Sequence, residues 1–194
     1  MPENEDHQDL VQSLSELQSL FTEMIHDSIQ ALISKAFLEI DSCFLELFDE
    51  KWLDNFVPIE EIFNSLNNSF EVFEKLQREH HTSMYQQIQK KALIKYLTLM
   101  MRRKLSFSKQ EERDSASKKI KEEANIYREF FQAVAVTEEE KCQDLEGDLS
   151  ILETISNIVG ADEEMITFEL MTLVRNNTCQ ILFLLTAEII YLFI

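Results

Sequence analysis

Apolar residues recur along this chain at intervals of three and four. Leu10, Leu14, Leu17, Phe21 and Met24 begin the pattern, and Leu32, Ala36, Ile40, Phe44 and Leu47 continue it. The spacing predicts one long amphipathic helix, or two nearly continuous ones, reaching about Lys51. Trp52 to Val57 reads as a short connection. Pro58 then suits the first turn of a second helix, with Glu60 and Glu61 at the positive end of its dipole. Ile59, Ile62, Phe63, Leu66, Phe70 and Phe73 form the apolar stripe of that helix, and Asn64–Asn68 is its weak point, because asparagine is a poor helix former.

A break is expected at His80-His81-Thr82. The next stripe, Tyr85, Ile88, Ala92, Leu93, Tyr96, Leu97 and Met100, predicts a helix ending near Leu105. Ser108 and Glu111 have capping-box spacing and start a further helix carrying Ala116, Ile120, Ala124, Tyr127, Phe131 and Val134. Thr137 and Glu140 repeat that spacing, but Gly147 follows too soon for a long helix. Another helix, from about Leu149 to Val159, is expected to end at Gly160 as a left-handed cap. Asp162 can cap the one after it, which contains Ile166, Phe168, Leu170 and Val174.

Composition sharpens this picture. The 194 residues include two glycines and two prolines. Folds built on strands need many tight turns, and tight turns use those two residues. The fold expected is therefore all-α, an elongated stack of antiparallel helices joined by short connections. Cys43, Cys142 and Cys179 are too few and too far apart for a disulfide framework, which fits a reducing, cytoplasmic setting. The acidic, polar residues 1–9 are no signal peptide.

The final stretch differs from the rest. Residues 178–194 are abruptly apolar, with Thr186 and Glu188 the polar residues from Ile181 onward. A membrane span needs about 20 apolar residues, so three readings stay open: a buried or partner-covered helix, a weak tail anchor, or an alternative chain end. The chain accordingly divides into a helical-rod segment, 1–177, and a divergent tail, 178–194.

No catalytic or metal constellation emerges. His80 and His81 are adjacent and point about 100° apart on a helix, so an exposed helix junction is the simpler reading. Both glycines stand alone, which leaves no phosphate loop, and no Gly-x-Ser-x-Gly elbow is present. Cys43 reads as a core thiol. Neither an enzymatic activity nor a cofactor is expected.

Charge changes the picture once more. The net charge of −18 argues against nucleic acid as a partner, yet residues 75–128 carry 14 bases and 6 acids. Lys91, Lys95 and Arg102 fall within about 40° of one another on a helix. Arg103 and Lys104 join Arg102 in its last turn, and Lys118, Lys119 and Lys121 could extend the patch from the next helix. Two readings remain: self-stabilisation by dipole and acidic neighbours, or a docking face for anionic lipid or an acidic partner helix.

Several elements of this region look familiar. Lys51-Trp52-Leu53, Lys95-Tyr96-Leu97, Arg102-Arg103-Lys104-Leu105-Ser106-Phe107 and Glu111-Glu112-Arg113 resemble the exocyst complex component 3 (Sec-six) family, with its component 3-like members and tumour necrosis factor alpha-induced protein 2. The resemblance continues through Glu123-Ala124, Arg128-Glu129-Phe130-Phe131 and Glu169-Leu170-Met171-Thr172-Leu173-Val174. It implies a non-enzymatic helical rod that helps tether secretory vesicles to the plasma membrane through other exocyst subunits, SNARE proteins and a Ral GTPase. The induced-protein branch implies a second role, in membrane protrusions and nanotubes. Family members are several times longer, so the resemblance implies part of a rod.

Overall fold

A computed structural model of the chain describes residues 3–49, 51–103, 105, 107, 109–136, 145–162 and 165. The described residues form five α-helices: α1 (Glu3–Glu46), α2 (Val57–Phe73), α3 (Arg78–Arg102), α4 (Gln110–Val134) and α5 (Leu145–Gly160), with a 3₁₀ turn at Trp52–Asp54. No strand occurs among the described residues, so the fold is all-α as composition required. The expected helix starting at Asp162 and the apolar tail lie largely outside the described residues. The Asp162 carboxylate accepts from the Met165 N–H at 2.9 Å.

The core forms where the stripes meet. The second half of α1 packs on α2 and α3, α2 also meets α4, and α5 lies along α4. All six stripe residues of α2 are buried, as are all seven of α3. At the centre, Phe63, Phe70, Tyr85, Tyr127, Phe130 and Phe131 interlock, with edge-on pairs such as Tyr85–Phe131 at 5.7 Å and Phe63–Tyr127 at 5.7 Å. Offset and edge-to-face geometry is what ring quadrupoles favour. The buried Tyr85 hydroxyl donates to the Phe131 carbonyl at 2.9 Å, so its polar end is satisfied.

α1 is a single helix of 44 residues, about 66 Å long at 1.5 Å per residue. It behaves as two parts. Ile29, Ile33, Ala36, Phe37, Ile40, Phe44 and Leu47 enter the core, whereas every side chain from residue 8 to residue 28 is exposed. The helix ends at Glu46, short of the expected Lys51. Phe48 reverses the chain with φ 61°, an uncommon angle for a residue with a Cβ. Its ring is buried between Trp52 at 4.9 Å and Tyr96 at 5.0 Å, and that contact holds the unusual backbone in place.

Several local expectations differ from what the structure shows. The break expected at His80-His81-Thr82 falls instead at Glu74–Gln77. The Gln77 carbonyl accepts from both the His80 and His81 N–H at 3.0 Å, which draws the histidines into the first turn of α3. His81 is then 3% exposed, with its ring 6.1 Å from Phe70, so it is a core residue and no exposed junction. α4 starts after Lys109, which makes no side-chain cap; Ser108 and the Thr137–Glu140 box lie outside the described residues. α5 begins before Gly147 and runs to Gly160, and no described glycine has positive φ.

Gly160 therefore is no left-handed cap. A Cβ there would lie 2.8 Å from Ser117 Oγ and 2.9 Å from its Cβ. The residue has no side chain because α4 and α5 approach too closely for one. Beside it, Ser117 and Ser156 exchange a hydroxyl contact at 2.9 Å, and Ser156 also donates to the Ser117 carbonyl at 2.7 Å.

The two glycines of α5 should accordingly respond with opposite signs. Gly147 is exposed, so Gly147→Ala should stabilise by up to about 1 kcal/mol through helix propensity. Gly160→Ala should destabilise by about 1–3 kcal/mol, because the added carbon must push α5 off Ser117. Thermal melts of both variants check this; stabilisation by Gly160→Ala would contradict the close-approach reading.

Candidate interaction surface

The basic residues picked out from the sequence do not form one face. On α3, the Lys95 ammonium pairs with the Asp41 carboxylate of α1 and lies 4.7 Å from the centre of the Phe44 ring. Lys91 sits 4.6 Å from the centre of Phe37, also on α1. Arg103, at the end of α3, donates to the Leu45 carbonyl in the last turn of α1, where the negative end of a helix dipole favours a cation. These three cations fasten α3 to α1, through charge, ring faces and a free carbonyl. Partial burial lowers the Lys95 pKa. Lys91, Arg102 and Arg103 keep exposed surface. Lys104 lies outside the described residues.

The α4 lysines take a different course. Lys118 is 78% exposed and reaches Glu122 one turn on at 3.6 Å. Lys121 is also exposed, and the two border an open groove between α4 and α5 lined by Asp114, Asn157 and Asp162.

Lys119 is not on the surface at all: it is 2% exposed. On a helix its position falls on the same side as Ala116, Ile120 and Glu123, and that side faces the core. Its ammonium donates to the Asn55 carbonyl at 3.0 Å and lies against the Phe56 ring. It also pairs with Glu123, one turn on, at 3.7 Å. The expectation that Lys119 extends a docking face is therefore corrected: it is a structural cation.

Glu123 completes a buried network that the sequence search did not find. Its carboxylate accepts from the Trp52 indole N–H at 3.0 Å and from the Tyr96 hydroxyl at 2.6 Å. One acid thus ties the 3₁₀ turn, α3 and α4 together. Burial pushes the Glu123 pKa up, against the pull of Tyr96, Lys119 and Trp52. Burial, then the neighbouring carboxylate charge, pushes Tyr96 well up, and burial pulls Lys119 down against the attraction of Glu123. The sequence signals were the recurrence of Ala116, Lys119/Ile120 and Glu123/Ala124, which places two charged residues on an apolar side, and the presence of Trp52, Tyr96 and Glu123 in the family-like elements.

The Glu111-Glu112-Arg113 motif also finds a physical role here. Arg113 Nε donates to the Val159 carbonyl at 3.0 Å and its Nη2 to Ala161, while Gln110 Nε2 reaches the Gly160 carbonyl at 3.0 Å. These are the carbonyls that the end of α5 leaves without helical partners. Farther along, Leu105 and Phe107 of the Arg-Lys-Leu-Ser-Phe motif pack against the core. Cys43 is half-buried, its Sγ 3.9 Å from Glu61. Among the described residues no cluster of three or more His, Cys, Asp or Glu side chains could hold a metal ion. Nor is any described helix long and apolar enough to cross a membrane.

Lys119→Met should leave the Glu123 carboxylate buried without its cation, and Glu123→Gln should leave the ammonium so. Each should cost about 3–5 kcal/mol in denaturant unfolding, and the double variant should recover much of that loss. The pH dependence has a defined sign. A folded pKa above the unfolded value of about 4.3 means that the Glu123 contribution is full below that value. It is lost as pH rises through the folded pKa. The stability gap between the native chain and Glu123→Gln should therefore narrow as pH rises across that window; a widening gap would contradict it.

Comparison with known proteins places these features in a family. The family described as exocyst complex component Sec6 matches residues 2–178. Exocyst complex component 3 of Drosophila melanogaster is 27% identical over 142 residues, covering 73% of this chain and 19% of that relative. The chain thus spans about one fifth of the length of the curated relative it matches. No solved structure matches. The match takes in the five described helices, the Trp52–Glu123 network and the Arg113 cap, and on that ground the chain belongs to the exocyst complex component Sec6 family.

Proposed function

We propose that the chain works as an exocyst-type tethering subunit, or a portion of one, through contacts with other proteins and without catalysis. The observation that carries this reading is the family match over residues 2–178. The fold supports it in kind: the conspicuous buried charges serve to join helices, and the faces left open are those of helices. On this reading the chain acts in the cytoplasm, peripherally at the plasma membrane or at secretory vesicles. Other exocyst subunits are its partners, with SNARE proteins and a Ral GTPase as further proposed contacts.

Of the candidate cations, Arg102, Lys118 and Lys121 are exposed and not engaged with α1, and these are the ones available to an acidic partner. A lipid-binding role in protrusions is the weaker alternative. Its cations are split between two neighbours, and Lys95 and Arg103 already engage α1.

Affinity capture from cells, with the full chain and with a form lacking residues 178–194, tests the tethering reading. Recovery of exocyst subunits with either form supports it, and recovery that rises when the tail is removed assigns the tail an obstructing effect. Absence of exocyst subunits from both captures, with both forms soluble, would overturn it.

A further inference from the structure

The exposed half of α1 carries an organised apolar seam. Leu10, Leu14, Leu17, Phe21 and Met24 alternate by four and three residues, and each is between 49% and 63% exposed. This is the 3.5-residue repeat of a helix that pairs with another helix in a left-handed supercoil. One of its two positions stays apolar past the point where α1 joins the core, while the other passes to Ser28, Lys35 and Ser42. Leu10, Leu17, Met24, Ala31, Leu38 and Leu45 are spaced by seven throughout, and Leu38 and Leu45 stay 74% and 63% exposed while the other side of α1 is buried. At 100° per residue the centre of the seam lies about 120° or more from Ile33, Ile40 and Phe44, so the seam is distinct from the core stripe.

Charge selects the occupant. At 100° per residue, Asp9, Glu16, Glu23 and Asp27 fall within about 40° of one another, forming a ridge along the Leu20 edge of the seam. The opposite edge carries Ser15, Gln18 and Thr22, and no Lys or Arg occurs before Lys35. The exposed half of a second copy of α1 offers the ridge no cation. Paired antiparallel, it would set one acidic ridge against the other. Residues 178–194 contain no Lys or Arg either.

We infer that this seam is a docking site for an amphipathic partner helix that carries lysine or arginine along the edge facing Asp9, Glu16, Glu23 and Asp27. The inference rests on the reading that the chain acts through protein contacts, but it names a particular face and the chemistry of what covers it. Leucine-rich knobs on the partner would fill the holes around Leu14, Leu17 and Phe21. Its cations would set register and exclude self-pairing.

The test uses the purified full chain and two synthetic helical peptides. Both have leucine at alternating three- and four-residue spacing; one has lysine at the flanking positions and the other glutamate. By fluorescence anisotropy the lysine peptide should bind about 10-fold or more tighter, and raised salt should shrink that advantage. Leu17→Glu with Phe21→Glu should abolish binding without shifting the thermal melt, since both side chains lie outside the core. Glu16→Lys with Glu23→Lys should reverse the preference between the peptides. Equal affinity for the two peptides would overturn the inference, as would binding of neither. So would a dimer in light scattering that Leu17→Glu dissolves, because the seam would then be self-paired. Since no exocyst subunit takes part, failure here is separable from failure of the capture experiment.

Discussion

Glu123 is the interaction on which the arrangement of helices depends. A buried carboxylate is costly unless its oxygens are fully engaged. Here the indole of Trp52, the phenol of Tyr96 and the ammonium of Lys119 engage them. Trp52 and Tyr96 come from two other segments, and each can reach Glu123 in only one relative placement, while Lys119 lies one turn before it on α4. Apolar packing alone tolerates sliding of one helix along another; a carboxylate with directional donors does not. The same turn of chain is fixed a second time through Phe48, whose ring lies between Trp52 and Tyr96. The connection between α1 and α2 is thereby part of the core.

That network explains what could and could not be read from the sequence. The stripes of α2 and α3 were legible residue by residue, because burial on one side of a helix imposes its period directly. Lys119 and His81 were not. Each is polar, and periodicity assigns polar residues to solvent unless partners far along the chain are known. Asn55 lies 64 residues from Lys119, and nothing local announces the pairing. Gly160 was misassigned for a related reason. Glycine serves both left-handed turns and close approach, and the two differ only in what stands opposite, here Ser117 on another helix.

The family motifs gain a physical sense from the same geometry. Trp52 and Glu123 face each other across the core, Arg113 closes the end of α5, and Leu105 and Phe107 pack where α3 gives way to α4. These residues stabilise the stacking of helices. A family that shares them shares a scaffold, whereas the identity of its partners must reside in the faces the scaffold leaves open. The basic positions divide along this line. Some are consumed in joining α3 to α1, and others remain outside.

α1 is continuous in its backbone and discontinuous in its energetics. From Ile29 onward it is held by the core; before that, its backbone hydrogen bonds depend on helix propensity alone. Most helical stability in a protein comes from packing an apolar face, which this half of α1 lacks. Its amides would thus trade hydrogen for deuterium far faster than those of Ile33–Phe44, with the transition falling near Ile29. A helix poised in this way changes its exchange rate sharply on gaining a neighbour. The exposed half of α1 is in that sense a built-in reporter of its own occupancy.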